Sequence, residues 1–362
     1  MRLLDRYVFK LYGISFVAAL LAFSSGLVAL DFFARMQQFL DKERIDAVKA
    51  EGGTLVVILK FYAAYLPYLL KELMPFITSS AALVTILILQ RANEVQPVLA
   101  AGVSARRLFA PILLSAFAVA LGLLAFQEFA VPTLSPKIVR IKRLFSGNRD
   151  LEIKDVPHLR DGKGTVVRAA RYRLFNPTGL KGVVIMRPWE KEGFETWMIE
   201  FLEPDGDGWR ATMGGQIMPA DQTKPVKLLP KGARVEFGVT PEEVEVLISR
   251  QGTAESSFRQ LKALADKFPD RRSLRVALHR QVAQPLSCFA LVLLAIPLLL
   301  RSGGSVARGG GRVFLASGAL FVMTVFCNIL GDRGDLSPLL AAYLPVTFFL
   351  CLGAARFLEM RT

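Results

Sequence analysis

Apolar residues along the chain fall into long uncharged blocks rather than being spread between polar positions. A hydrocarbon core about 30 Å thick is crossed by about 20 apolar helical residues. Six runs are close to that length: Leu11 to Leu30, Leu73 to Gln90, Leu108 to Gln127, Gln281 to Leu300, Val313 to Gly331, and Leu336 to Ala355. The second run has an apolar approach, Leu55 to Leu70, interrupted only by Lys60. Lys71 and Glu72 then break it, with Pro67 and Pro75 on either side. Proline removes a backbone donor from the helix ladder, so this stretch predicts a broken helix or an elbow at the outer surface. The first run follows Arg2, Arg6 and Lys10 as a secretory signal would, but it is long and no small-x-small cleavage site follows. It therefore reads as an uncleaved span.

Between the third and fourth runs the period changes. From about Lys137 to Arg275 the apolar residues alternate or come in short stretches, such as Gly164 to Tyr172, Gly182 to Met186, Thr196 to Leu202 and Trp209 to Met213. Turn sequences separate them, among them Pro204-Asp205-Gly206-Asp207-Gly208 and Pro230-Lys231-Gly232. Short strands at this spacing predict an all-β sandwich or jelly-roll-like domain, with helical periodicity only over Ser257 to Lys267. The fold class that follows is an α-helical membrane protein with six transmembrane helices, three before and three after an inserted β-domain. Residues 1–136 and 276–362 form the membrane parts and 137–275 the insert.

Charge adds orientation. The chain has 45 Lys+Arg against 31 Asp+Glu, a formal charge of +14, yet 52% of it is hydrophobic and only 21% charged. That balance excludes a disordered chain or a simple soluble domain. The 301–312 segment carries Arg301, Arg308 and Arg312 with no acid, whereas 31–53 and 332–335 match bases with acids. The positive-inside bias then places the N-terminus, 91–107, 301–312 and the tail from Arg356 in the cytoplasm, and the β-domain outside. Cys288, Cys327 and Cys351 all lie in apolar runs, so no disulfide framework is expected.

Enzyme chemistry is missing from the sequence. His158 and His279 sit in no metal-ligand spacing, so neither a metal nor a cofactor is expected. No phosphate-binding loop or nucleophile elbow is present, and the glycine-rich Ser302 to Gly311 reads as a flexible inner loop. Nucleic acid is not expected either, since the basic face lacks interleaved aromatics. Two candidate sites remain. Arg140, Lys142 and Arg143 would hold the anionic groups of a lipid headgroup, or else form a solvated basic surface. Asp31 and Arg35, one helical turn apart, and Glu128 would line a lipid cavity, or simply end their spans at the interface. The second site is the inner segment 91–107. Asn93 can cap a helix, Glu94 suits its first turn, Gly102 can end it, and Val95, Val98 and Leu99 would be available on one side. Such a helix inserts into a groove on a cytosolic partner, or merely connects two spans.

Several words of this sequence, taken in order, resemble the LptF/LptG (YjgP/YjgQ) permease subunits of the lipopolysaccharide-export ABC transporter of Gram-negative bacteria. They are Leu4-Asp5-Arg6-Tyr7, closest to the LptG branch, Pro67 and Pro75, Asn93-Glu94 through Ala101-Gly102-Val103-Ser104, Glu128 with Pro132, Gln284-Pro285-Leu286-Ser287, and Leu344-Pro345. The resemblance implies a bacterial inner-membrane subunit, N-in and C-in, with a periplasmic jelly roll. It implies a paralogous LptF-like partner, a cytoplasmic LptB-like ATPase dimer, and LptC-like and LptA-like bridge proteins that receive lipopolysaccharide. Residues 91–103 would be the coupling helix, with Asn93, Glu94, Val95, Val98, Leu99 and Gly102 meeting the ATPase. Where some LptG members carry a lysine near the outer end of span one, this chain has Asp31, with Arg35, Arg140, Lys142 and Arg143 as nearby positive charge. Each acyl methylene holds the lipid in its leaflet by about 0.8 kcal/mol, so extraction needs energy supplied through a partner. The alternatives are a membrane-anchored sensor or scaffold, a permease for another lipid, or an intramembrane enzyme.

Overall fold

The computed structural model describes residues 3–40, 54–134, 152–154, 159–160, 164–173, 178–188, 194–220, 225–241, 243–244, 257–268, 271–300 and 306–360. The chain divides into two compact units. One holds the segments before residue 139 and from Arg272 onward, and the other holds the β-strands.

The first unit contains α1 (Leu3–Leu40), α2 (Thr54–Arg91), the short α3 (Val95–Ala100), α4 (Ala105–Ala125), α6 (Arg272–Leu300), α7 (Val306–Arg333) and α8 (Pro338–Leu358). Helix α4 continues through a π-turn at Phe126–Ala130. Among the described residues, six helices are long and apolar enough to cross a membrane: Leu3–Met36, Ile58–Arg91, Ala105–Leu134, Arg272–Leu300, Ala307–Arg333 and Pro338–Leu358. Each contains one of the six apolar runs, apart from a residue or two at an end, and extends beyond it where charged residues tolerate interfacial depth.

Helix α6 is the centre of this unit. It packs against α2, α4, α7 and α8, and most of its apolar stretch is buried. Tyr12, Ile77, Ile86, Phe109, Ile112 and Ile296 form one core cluster, and Ala290, Leu291, Leu320, Val346 and Phe349 a second. By contrast α1 buries almost none of its apolar stretch and α7 only a minor part. Their large apolar side chains, Leu21, Leu30, Phe33, Phe314, Leu315 and Phe326, are exposed. An apolar surface this extensive is stable only in hydrocarbon or against another protein.

Two expectations need correction. The elbow at 67–75 is absent, because α2 runs unbroken with both prolines inside it. Pro75 cannot donate to the carbonyl of Lys71, four residues back, and the Gln284 amide of α6 donates to that oxygen instead at 3.2 Å. The glycine-rich stretch is also not all loop, since α7 begins at Val306 and takes in Gly309 to Gly311. There α7 faces α2, and a Cβ at Gly310 would stand 3.7 Å from the Leu83 side chain, an ordinary van der Waals contact.

Among the described residues the second unit holds an antiparallel sheet of nine strands. They are β1 (Glu152–Lys154), β2 (Leu159–Arg160), β3 (Val166–Arg173), β4 (Gly179–Pro188), β5 (Phe194–Asp205), β6 (Gly208–Ala211), β7 (Gly215–Met218), β8 (Lys227–Leu229) and β9 (Ala233–Val235). The expected antiparallel β insert is therefore present. The sheet branches at β5, whose first half pairs with β7 and whose second half pairs with β6. Gly214 makes the turn into β7 with φ +78°, and a Cβ there would meet the Leu229 carbonyl oxygen at 2.8 Å, so only glycine fits. Val167, Val183, Ile185, Ile199 and Phe201 alternate inward, and the fully buried Trp209 stacks on Phe237 while its Nε1 donates to Val239 O. Helix α5 (Phe258–Lys267) starts with a capping box between Ser257 and Gln260, where the sequence periodicity places a helix.

Candidate functional site

The segment between α2 and α4 is built from two helix endings of the same kind. At the end of α2 the Asn93 N–H donates to Gln90 O and the Glu94 N–H to Leu89 O, with Asn93 left-handed at φ 55°. At the end of α3 the Gly102 N–H donates to Leu99 O and the Val103 N–H to Val98 O, with Gly102 at φ +80°. Both are Schellman motifs, and asparagine is the residue after glycine that accepts the left-handed position. Asn93 therefore closes α2 rather than capping α3. The N-cap of α3 is Glu94, which makes no side-chain cap hydrogen bond.

Helix α3 also divides its apolar residues differently from expectation. Val95 is 7% exposed and Val98 half-buried, and both pack into the core cluster of the helical unit. Gln96, Pro97 and Leu99 face outward. Of the three apolar residues expected on one outer side, only Leu99 is there. The Glu94 carboxylate accepts a hydrogen bond from the Tyr7 hydroxyl at 3.2 Å, which ties α3 to the first turns of α1. Just beyond, the Arg106 guanidinium donates to the carbonyls of Leu358 and Met360, so the start of α4 holds the end of α8. A cation at a helix C-terminus is favourable against the helix dipole.

The other candidates lie at the opposite ends of the helices. Arg35 Nε donates to both carboxylate oxygens of Asp31, at 2.9 and 3.0 Å, and the Tyr62 hydroxyl donates to the same carboxylate at 3.1 Å. The guanidinium stands 5.7 Å from the Phe61 ring centroid and 5.5 Å from that of Tyr65. Asp31 and Arg35 are thus brought together with each other and with α2. Glu128 sits half-buried within the π-turn of α4. Arg140, Lys142 and Arg143 lie outside the described residues.

A polar cluster missed by sequence reasoning joins α2 to α6. Arg280 Nη2 donates to Glu72 at 2.9 Å, and Gln284 Nε2 donates to Glu72 at 3.0 Å as well as to Lys71 O. Lys71, 3% exposed, stands 3.9 Å from Glu72 and 4.9 Å from the Tyr68 ring. Both Lys71 and Arg280 lie about 30 Å along their helices from Arg91 and Leu300, at about 1.5 Å per residue. That span equals the thickness of a bilayer core. The offset of four between Lys71 and Pro75 was the available signal, because it marks an orphan carbonyl. Among the described residues no cluster of His, Cys, Asp or Glu has metal-binding geometry.

Among the described residues, six lipid-length helices, three before and three after an antiparallel insert in the sequence, with a short helix between the second and third, define a polytopic membrane protein. The family described as Lipopolysaccharide export system permease LptF/LptG matches residues 6–359, nearly the whole chain, and the chain belongs to it. The match spans both branches without separating LptF from LptG. No curated relative matches the chain.

Proposed function

We propose that the chain is the LptG-like permease subunit of an ABC exporter that extracts lipopolysaccharide from the inner membrane and passes it to a periplasmic bridge. An LptB-like ATPase dimer in the cytoplasm supplies the energy, an LptF-like paralogue completes the membrane part, and LptC-like and LptA-like proteins form the bridge. The chain lies N-in and C-in, with its β-domain in the periplasm.

The observation that carries this reading is the construction of residues 92–104. A six-residue helix bounded by two Schellman turns, anchored inward by Val95 and to α1 through Tyr7–Glu94, is a rigid lever with a small outward face of Gln96, Pro97 and Leu99. A plain connector needs no such bracing. A push on α3 reaches α1 directly, and α1 is the least covered of the six spans. Its apolar face, with that of α7, supplies surface for a paralogous subunit and for acyl chains between the two.

Glu94→Lys tests the assignment. The variant inserts normally, but lipopolysaccharide release from vesicles carrying the reconstituted complex falls to background, and the ATPase no longer co-purifies in stoichiometric amount. Wild-type release and co-purification by Glu94→Lys would reject the coupling role.

A further inference from the structure

Helix α8 ends differently from α2 and α3. Those two close on left-handed residues, Asn93 and Gly102, whereas Glu359, the C-cap of α8, stays in the helical region at φ −72°. A helix leaves its last carbonyls without intrahelical donors. The Leu358 carbonyl at this end, and that of Met360 just past it, accept instead from the Arg106 guanidinium of α4. The basic residue in the last turn of α8 itself, Arg356, is paired with Glu359 at 3.3 Å. The ending of one span is therefore completed by a side chain from another. Arg106 lies in the first turn of α4, directly after the corner at 101–104 that ends α3. The apolar side chains meet there too. Val95 and Ala105 belong to one core cluster, and Val98, Phe357 and Met360 pack against it.

Helix α3 is thus tied at both ends. At its start Glu94 holds it to α1 through Tyr7, and just past its end Arg106 holds the corner to α8. Helix α8 in turn packs along α6 and α7. Of the six spans, α1 and α7 are the two least covered. We infer that Arg106 is a positioning residue of the export cycle, which locks the end of α8 to the α3–α4 corner so that a displacement of α3 moves α7 as well as α1. The Tyr7 contact alone reaches one of the two exposed spans; the two ties together reach both. A charged donor on helix-end carbonyls is stronger than a neutral one and is favoured by the dipole of α8. A planar guanidinium also holds one geometry where an ammonium on a flexible stem turns freely. This inference deepens the coupling role proposed above for α3 and rests on it.

The test reads coupling and relative motion rather than stability. The full-length chain is reconstituted with its ATPase and paralogous subunit in vesicles containing lipopolysaccharide, and lipid released per ATP hydrolysed is measured. A residue that only stabilised the fold would lower release and hydrolysis together. Arg106→Ala lowers the ratio by about tenfold, the effect of losing a charged hydrogen bond, while the ATPase still co-purifies through the untouched face of Gln96, Pro97 and Leu99. Arg106→Lys, which keeps a cation in reach, regains most of the ratio. Spin labels on Ala100→Cys and Leu352→Cys, with Cys288, Cys327 and Cys351 replaced, report the distance from α3 to α8. That distance keeps one narrow distribution with and without trapped nucleotide, and becomes nucleotide-dependent once Arg106→Ala is added. If Arg106→Ala does not insert, Arg106→Gln, with a side chain of intermediate length and no charge, takes its place in both measurements. An unchanged ratio, or an α3–α8 distance indifferent to the loss of Arg106, overturns the inference. Either result beside a Glu94→Lys variant that has lost its ATPase rejects the Arg106 tie alone, whereas wild-type behaviour of Glu94→Lys rejects the coupling role on which it rests.

Discussion

Glu94 links across the helical unit to Tyr7, and the two residues are far apart in sequence. Their hydrogen bond involves a carboxylate acceptor, the stronger class. Tyr7→Phe removes only the hydroxyl and leaves the ring in place. A net contribution of about 1 kcal/mol corresponds to roughly a fivefold effect. Tyr7→Phe should therefore reduce ATP-driven lipid release about fivefold while ATPase binding persists, as measured on the reconstituted complex; unchanged release would mean that the contact is incidental. At this scale the sequence reading was uneven. Gly102 was legible because a left-handed helix ending favours glycine. Asn93 was misread because asparagine serves both N-caps and left-handed C-terminal positions, and only the hydrogen bonds of the Glu94 and Asn93 amides to Leu89 and Gln90 separate the two. Val95 and Val98 looked like a docking face because nothing in a short segment says which side its own protein will cover.

Helix α2 shows why elements were easier to locate than to join. Its apolar length was legible, since hydrocarbon leaves no alternative to an internally bonded helix. Its continuity through Pro67 and Pro75 was not. At Pro75 it depends on Gln284, far away in sequence, donating to Lys71 O and to Glu72. Gln284→Ala leaves that carbonyl and part of the Glu72 carboxylate without their partner, a loss of about 1–3 kcal/mol where such groups are buried. The detergent-solubilised chain should then unfold several degrees lower, and backbone amides near residue 75 should exchange faster. If Gln284→Ala has the melting temperature and exchange of the wild type, the proline gap is satisfied in some other way. The Arg35–Asp31–Tyr62 cluster works similarly near the C-terminal end of α1, because the partner that turns a surface pair into an interhelical clamp lies on α2. A close approach sets the far end of the bundle, where a Cβ at Gly331 would come within 2.5 Å of Ala341 Cβ.

Across the whole molecule, the order of spans, β insert and spans was legible because two periods with different physical causes divide the chain. Uninterrupted apolar runs answer to hydrocarbon, and alternation answers to a sheet with one wet face. The branching of the sheet at β5 was not legible, since register depends on turns and long-range pairing rather than on composition. Nor does the pattern of runs show that α6 is the hub and α1 the least covered helix; that needs the packing itself. The account depends on residues 92–104 and the β-domain occupying opposite sides of the membrane. Single cysteines at Gln96 and Asp207, in a background with Cys288, Cys327 and Cys351 replaced, test this in spheroplasts with a membrane-impermeant maleimide. Asp207→Cys should be labelled in intact spheroplasts and Gln96→Cys only after permeabilisation. Labelling of both positions from the same side would contradict the account.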